Sequence, residues 1–198
     1  MYRKSLSLKI VGAVVALGMT SLAVSGPALA GHHMGHSAKA PVVGGAPMYP
    51  TKTIVENAVN SKVHTTLVAA VKAAGLVETL SSPGPFTVFA PTNAAFAKLP
   101  AGTVETLVKP ENKDTLTKIL TYHVVAGRVL STDLAKMIKA GGGKAEFATV
   151  QGQKLTARMM GKAIVITDAM GNKATVTQAN VLQSNGVIHV TNGVFIPR

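Results

Sequence analysis

The spacing of apolar residues changes at about residue 140, and this change decides which fold class the chain can enter. From Thr51 to about Ala140 apolar residues recur every three or four positions, the period of a helix with one buried face. Thr53-Ile54-Val55-Glu56 has the form of a capping box, followed by an apolar stripe of Ile54, Val55, Ala58 and Val59. Leu67, Val68 and Val71 mark a second helix that Gly75 is placed to end. After Ser81-Ser82-Pro83-Gly84-Pro85, Phe86 to Phe89 alternates like a strand, and Pro91 closes it. Thr92 or Asn93 can cap a short helix carrying Ala95, Phe96 and Leu99. Further helices are expected around Val104, Leu107 and Val108, around Leu116, Ile119 and Leu120, and around Leu134, Met137 and Ile138.

Past residue 140 the period falls to two. Glu146–Val150, Lys154–Met160, Ala163–Thr167, Ala174–Leu182 and Val187–Val190 read as consecutive strands separated by Gly- and Asn-containing turns. Leu155, Ala157 and Met159 point one way and Lys154, Thr156 and Arg158 the other, as in an antiparallel sheet with one solvated face. Val176 and Gln178 fall out of phase with Ala179 and Val181, so a bulge is expected near Gln178. Helices first and antiparallel strands after define an α+β domain.

The first thirty residues have the three parts of a secretory signal. Arg3, Lys4 and Lys9 give a positive start, Ile10 to Val24 is almost wholly apolar, and Ala28-Leu29-Ala30 follows Gly26-Pro27 as a cleavage pattern. The competing reading is a retained membrane anchor, for which the apolar run is short. Residues 31–50, rich in Gly, Pro, His and Ala, read as a flexible leader, and the domain is expected over residues 51–198. The expected product is exported: periplasmic, surface-bound or secreted. Cleavage after Ala30 leaves 168 residues with seventeen Lys and Arg against eight acids, a formal charge of +9. That balance favours acidic partners, such as anionic glycans or envelope lipids. The scattered basic residues and the absence of Trp argue against nucleic acid. With no cysteine in the chain, stability must come from the core alone.

Catalytic readings find little support. Eight acidic residues show no cooperating pair, no Ser stands in a nucleophile elbow, and no thiol exists. Gly141-Gly142-Gly143-Lys144 lacks the early glycine and the hydroxyl of a phosphate loop and reads as a turn before a strand. His64, His123 and His189 have no ligand-like spacing. His189 faces opposite to Ile188 and Val190 and reads as a surface or edge histidine. A metal site of another kind is open to the leader. Cleavage after Ala30 exposes Gly31-His32-His33-Met34-Gly35-His36, whose free amine, two amide nitrogens and His33 imidazole can enclose Cu(II) or Ni(II) in a square plane. His32, Met34 and His36 would add weaker ligation, and the chain would then act as a periplasmic copper- or nickel-binding protein; a structural envelope protein is a further alternative. The competing reading is a leader whose histidines are merely polar. No cofactor is otherwise expected.

Three segments, in order, resemble the fasciclin domain family of extracellular adhesion modules. Thr87-Val-Phe-Ala-Pro-Thr-Asn-Ala-Ala-Phe96 is similar to that family's N-terminal signature, within which Thr92, Asn93 and Phe96 lie. Tyr122-His123, followed by Val124-Val125, is similar to its central Tyr-His motif, and Asn185-Gly186-Val-Ile-His189-Val-Thr-Asn-Gly-Val194 to its C-terminal signature. Asn93 stands where the family often has Asp, which changes a local charge. The resemblance implies a wedge of antiparallel β-sheets with an N-terminal group of packed helices. It also implies a non-enzymatic role in cell–cell or cell–matrix attachment through protein or glycan contacts. It makes Tyr122, His123, Val124 and Val125 candidate partner contacts and gives the other signature residues a mainly structural role. The residues themselves allow a different view: if the helix from Leu116 runs one turn further, His123 shares its apolar face and is a buried, hydrogen-bonded histidine.

Overall fold

A computed structural model describes residues 40–198. Thr53 starts the first helix, α1 (Ile54–Ala58), through the reciprocal bonds expected of it. Glu56 N–H donates to the Thr53 hydroxyl at 3.3 Å, and Thr53 N–H donates to the Glu56 carboxylate at 2.7 Å. The stripe differs in one respect: Asn57 is fully buried while Val59 is 46% exposed. The helix has only five residues, and the Asn57 amide is held inside by Tyr49 and Gln183. Helix α2 (Thr65–Ala74) ends at Gly75, whose φ of 73° is the left-handed closure that favours glycine. A helix the sequence period does not announce, α3 (Val77–Ser81), follows at once. Then come α4 (Asn93–Phe96), α5 (Thr103–Leu107), α6 (Lys113–Tyr122) and α7 (Ser131–Ala140). On α7, Leu134 and Ile138 are buried, but Met137 is 39% exposed.

The described strands begin earlier than expected. Val42–Val43 (β1) and Ala46–Pro47 (β2) form a small hairpin. Val43, Ala46 and Met48 lie in the main apolar core. Residues 41–50, expected at the tail of the leader, are therefore part of the folded unit, because three apolar side chains there find a core to enter. The remaining strands are β3 (Phe86–Pro91), β4 (Val124–Ala126), β5 (Lys144–Ala148), β6 (Lys154–Met160), β7 (Ala163–Thr167), β8 (Lys173–Gln183) and β9 (Gly186–Thr191). They form one path in the order β4-β3-β9-β8-β7-β6-β5. Every pair is antiparallel except β3 with β9, which run parallel over Phe86–Pro91 and Gly186–Thr191. The all-antiparallel expectation is corrected at that pair. Helices α4 to α7 and strands β4 to β8 intervene between β3 and β9, so the chain returns to β3's side in the same direction.

The sheet changes partner in the middle of β8. Lys173 to Thr175 pair with β7, and Val176 to Gln183 pair with β9 through two register shifts that bracket Gln178. Those irregularities let one strand serve two sheet halves. As a result β3 and β9 are covered on both faces. Val88, Ala90, Ile188 and Val190 face a core built with α1, α2 and α6, while Phe89 belongs to a second core with Leu134, Leu155, Ile166 and Phe195.

Asn180 shows how the bulge is used. It is the non-glycine residue with a left-handed backbone among those described, at φ 59°. Its Oδ1 accepts from Ser131 N–H at 2.8 Å and its Nδ2 donates to the Ser131 hydroxyl at 2.7 Å, which caps α7 from a distant strand. Asparagine tolerates this backbone better than most residues. Asn180→Ala loses the cap and strains the backbone, and should cost about 2 kcal/mol in chemical denaturation. Asn180→Gly keeps the conformation and should cost clearly less; equal losses would contradict this assignment.

Candidate functional site

The three signature segments meet around the parallel pair β3–β9. Thr92 accepts from Ala95 N–H at 3.3 Å and caps α4. Asn93 caps a different helix: its Oδ1 accepts from Thr66 N–H at 3.0 Å, in the first turn of α2. Its Nδ2 donates to the Lys62 carbonyl at 3.0 Å and to the Thr65 hydroxyl at 2.9 Å. A carboxylate here could accept from Thr66 but could not donate to Lys62, so asparagine suits these partners. Phe96 packs in the main core.

At the other end of the pair, Asn185 joins three elements. Its Oδ1 accepts from Ile54 N–H at 3.0 Å, and its Nδ2 donates to the carbonyls of Leu80 at 2.8 Å and Ser82 at 3.0 Å. It thus caps the start of α1 and the end of α3 together. Gly186 lies beside Phe86, and a Cβ on it would stand 2.1 Å from the Phe86 carbonyl oxygen. Only glycine allows the two strands to approach this closely.

Tyr122 and His123 lie inside the domain. Tyr122 is fully buried; its hydroxyl donates to the Lys154 carbonyl and accepts from Ala169 N–H, each at 2.9 Å. Helix α6 stops at Tyr122 rather than running another turn, and His123 is its C-terminal cap. The His123 side chain is 2% exposed. Its Nδ1 stands 2.8 Å from the Ile119 carbonyl and its Nε2 accepts from Phe195 N–H at 2.9 Å. A proton must sit on Nδ1 to reach the carbonyl, and Nε2 must be bare to face an N–H. The ring therefore joins α6 to the C-terminal segment as a neutral bridge. Val124 and Val125 are 5% exposed, in β4. The expectation that these four residues meet a partner directly is corrected: each side chain is spent on packing or internal hydrogen bonds.

His189 is corrected more sharply. It does face away from Ile188 and Val190, but that face of the sheet is covered too, and the residue is fully buried. Its Nε2 donates to the Val129 carbonyl at 2.9 Å, and its Nδ1 faces Asn180 N–H at 3.4 Å. The ring stacks on Phe89, which meets Phe195 edge-on, which in turn packs against His123. His64 is buried at the start of α2, where its Nδ1 lies 2.9 Å from the Ser61 hydroxyl. The three rings do not converge, and among the described residues no group of three His, Cys, Asp or Glu could hold a metal. Gly31, His32, His33 and His36 lie outside the described residues, as does the expected signal segment. Among the described residues no helix is long and apolar enough to cross a membrane.

Sequence reasoning missed Asp168. Its carboxylate accepts from Met170 N–H, Asn172 N–H, the Asn172 amide and Ile196 N–H, at 2.8 to 2.9 Å, tying the β7–β8 turn to the C-terminal segment. The local signal was Asp168 ahead of Gly171-Asn172, a turn in which an aspartate bonds its own backbone. The bond to Ile196 has no sequence signature. Two open clefts have mixed polar and apolar walls: one of about 480 Å³ bounded by Thr53, Ser82, Arg128 and Asn185, and one of about 280 Å³ bounded by Thr66, Asn93 and Glu105. Two further cavities are apolar. One of about 160 Å³ lies between α5, α6 and the C-terminal segment, walled by Leu107, Leu116, Ile119 and Val194. A smaller one of about 40 Å³ lies among α1, α2 and α3. Both walls are almost wholly apolar.

Burial pushes the His123 imidazole down to about 4 and lowers His189 and His64 in the same direction. An unfolded chain takes the proton near the ordinary value of 6.5, so between there and about 4 the unfolded state binds more protons. Stability is then fully present above about 6.5 and falls on acidification, by about 3 kcal/mol from His123 alone. Denaturant unfolding measured across this range should show that fall. His123→Gln should be less stable at neutral pH and show a shallower fall; an unchanged slope would contradict the assignment. Asn185→Asp, which turns a donor into charge facing two carbonyls, should cost about 3 kcal/mol by the same measurement.

Comparison with known proteins agrees with this architecture. A family model described as "Fasciclin domain" matches residues 62–197. Protein sll1483 of Synechocystis is 47% identical, over 96% of this chain and 99% of that one. The immunogenic protein MPB70 of Mycobacterium bovis is 36% identical, over 93% of each chain. Among solved structures, a FAS1 domain pair from the insect cell adhesion molecule Fasciclin I aligns with a TM-score of 0.64 at 18% identity, over 72% of this chain and 50% of that one. With the signature segments in place around β3 and β9, the chain belongs to the fasciclin domain family.

Proposed function

We propose that this protein is an exported, non-catalytic module that attaches to cell-surface or matrix material through its exterior. The observation that carries this reading is the fate of the signature residues. Asn93, Asn185, Tyr122, His123 and His189 are all consumed in bonds that hold elements together. Chemistry at a site needs polar groups free to meet a substrate; two cavities have apolar walls, and in the two open clefts Asn93 and Asn185 are held by backbone partners. The outside of the domain is what remains to act. The fold shared with a domain pair of an insect cell adhesion molecule supports attachment as the task. The N-terminal signal pattern supports export. The excess of Lys and Arg adds attraction to anionic material that salt screens.

Retention of the purified domain on envelope fragments of the producing cells tests this reading. Saturable retention at low ionic strength, weakened by added salt, is the expected result. Wild-type protein that washes through at low ionic strength would contradict it.

A further inference from the structure

The positive charge is unevenly placed. Residues 51–133 hold eight Lys and Arg with six acids, whereas residues 134–198 hold eight with only two. One of those two, Asp168, is occupied by backbone and amide donors. The other, Glu146, lies between two cations, with Lys144 at 3.3 Å and Lys154 at 3.5 Å.

Strand register gathers the cations onto one face. In β5 to β8, Leu155, Ala157, Ile164, Ile166 and Ala174 point into the second core, so their alternates form the opposite face. There Lys144 stands directly across from Arg158, and Thr156 across from Thr167, which stands across from Lys173. Lys154 lies two positions from Thr156 on the same strand and face. Lys144, Lys154, Arg158 and Lys173 are exposed, and they frame the half-buried hydroxyl pair Thr156 and Thr167. Beside that pair Val165, which sits across from Arg158, is 6% exposed. Like charges directly opposite on neighbouring strands repel, and Lys144 and Arg158 are such a pair. Glu146 stands across from Thr156 on this same face and offsets one of the four charges through Lys144 and Lys154, leaving a net +3 that an anion lying across the face relieves.

We propose that this face docks a linear acidic polysaccharide, with carboxylates at the framing cations and sugar hydroxyls at Thr156 and Thr167. The proposal rests on the surface-binding reading above and names its surface and ligand class. A sugar chain fits better than a nucleic acid, because the face carries no aromatic ring on which a base could stack. It fits better than a bilayer, because Met160 is the face's one long, exposed apolar side chain.

Polygalacturonate in solution is a direct probe, with neutral dextran, anionic phosphatidylglycerol vesicles and duplex DNA as comparators. The wild-type domain should bind polygalacturonate and not dextran, with affinity falling as salt rises. Lys144→Gln/Arg158→Gln should weaken binding about tenfold and flatten the salt dependence, with no loss of melting temperature. Lys113→Gln/Lys118→Gln, which removes the same charge from α6, should change affinity less than about twofold. Equal weakening by the two double variants would overturn the proposal in favour of net charge alone. So would tighter binding to DNA or to vesicles than to polygalacturonate. If Lys144→Gln/Arg158→Gln stays on envelope fragments at the wild-type level, this face is excluded while the attachment reading stands. Failure of the wild type to be retained would sink that reading instead.

Discussion

The parallel contact between β3 and β9 is the constraint on which the rest of the domain depends. It joins a strand from the first half of the signature to one from the end of the chain, and both of its faces are buried. Its lower end closes only because Gly186 lets the Phe86 carbonyl come near, and the adjoining Asn185 holds α1 and α3 to the same point. Its upper end is held by Thr92 and Asn93, which start α4 and α2. The helical layer is thereby hung on two short polar clusters at the ends of one strand pair. Truncating a side chain in either cluster strands several backbone groups together, which costs more than the loss of one bond.

Burial on both faces also explains the histidines. A central strand covered on two sides turns each side chain inward whatever its phase, so His189 must find polar partners in the interior and finds Val129 and Asn180. His123 does the same between α6 and the C-terminal segment. Each ring donates with one nitrogen and accepts with the other. A second proton on either would place N–H against N–H. The residues that look chemically reactive in the sequence are therefore fixed as neutral struts.

Local features were legible in the sequence because local physics sets them. The capping box at Thr53, the closure at Gly75, the strands after residue 140 and the bulge near Gln178 all depend on neighbours within a few positions. What was not legible depends on distant partners. Nothing near His189 says that the far face of its strand is covered, and nothing near Val43 or Met48 says that a core awaits them. The end of α6 at Tyr122 is set by β4 pairing with β3, not by any helix breaker at that point. The resemblance drew attention to the signature residues but carried with it a contact role for Tyr122 and His123 that their burial does not allow. The clustering of charge was hidden for the same reason: Lys144 and Arg158 are far apart along the chain and adjacent only through strand register.

The central claim is that the signature histidines are sealed, neutral parts of the framework, leaving the exterior to act. Nitrogen NMR of the imidazole rings across an acid titration tests it most directly. The account predicts fixed and opposite tautomers, with the proton on Nδ1 in His123 and on Nε2 in His189, and ring protonation of both displaced below the ordinary value of 6.5. Rings that average their tautomers and take up a proton near that ordinary value would contradict it.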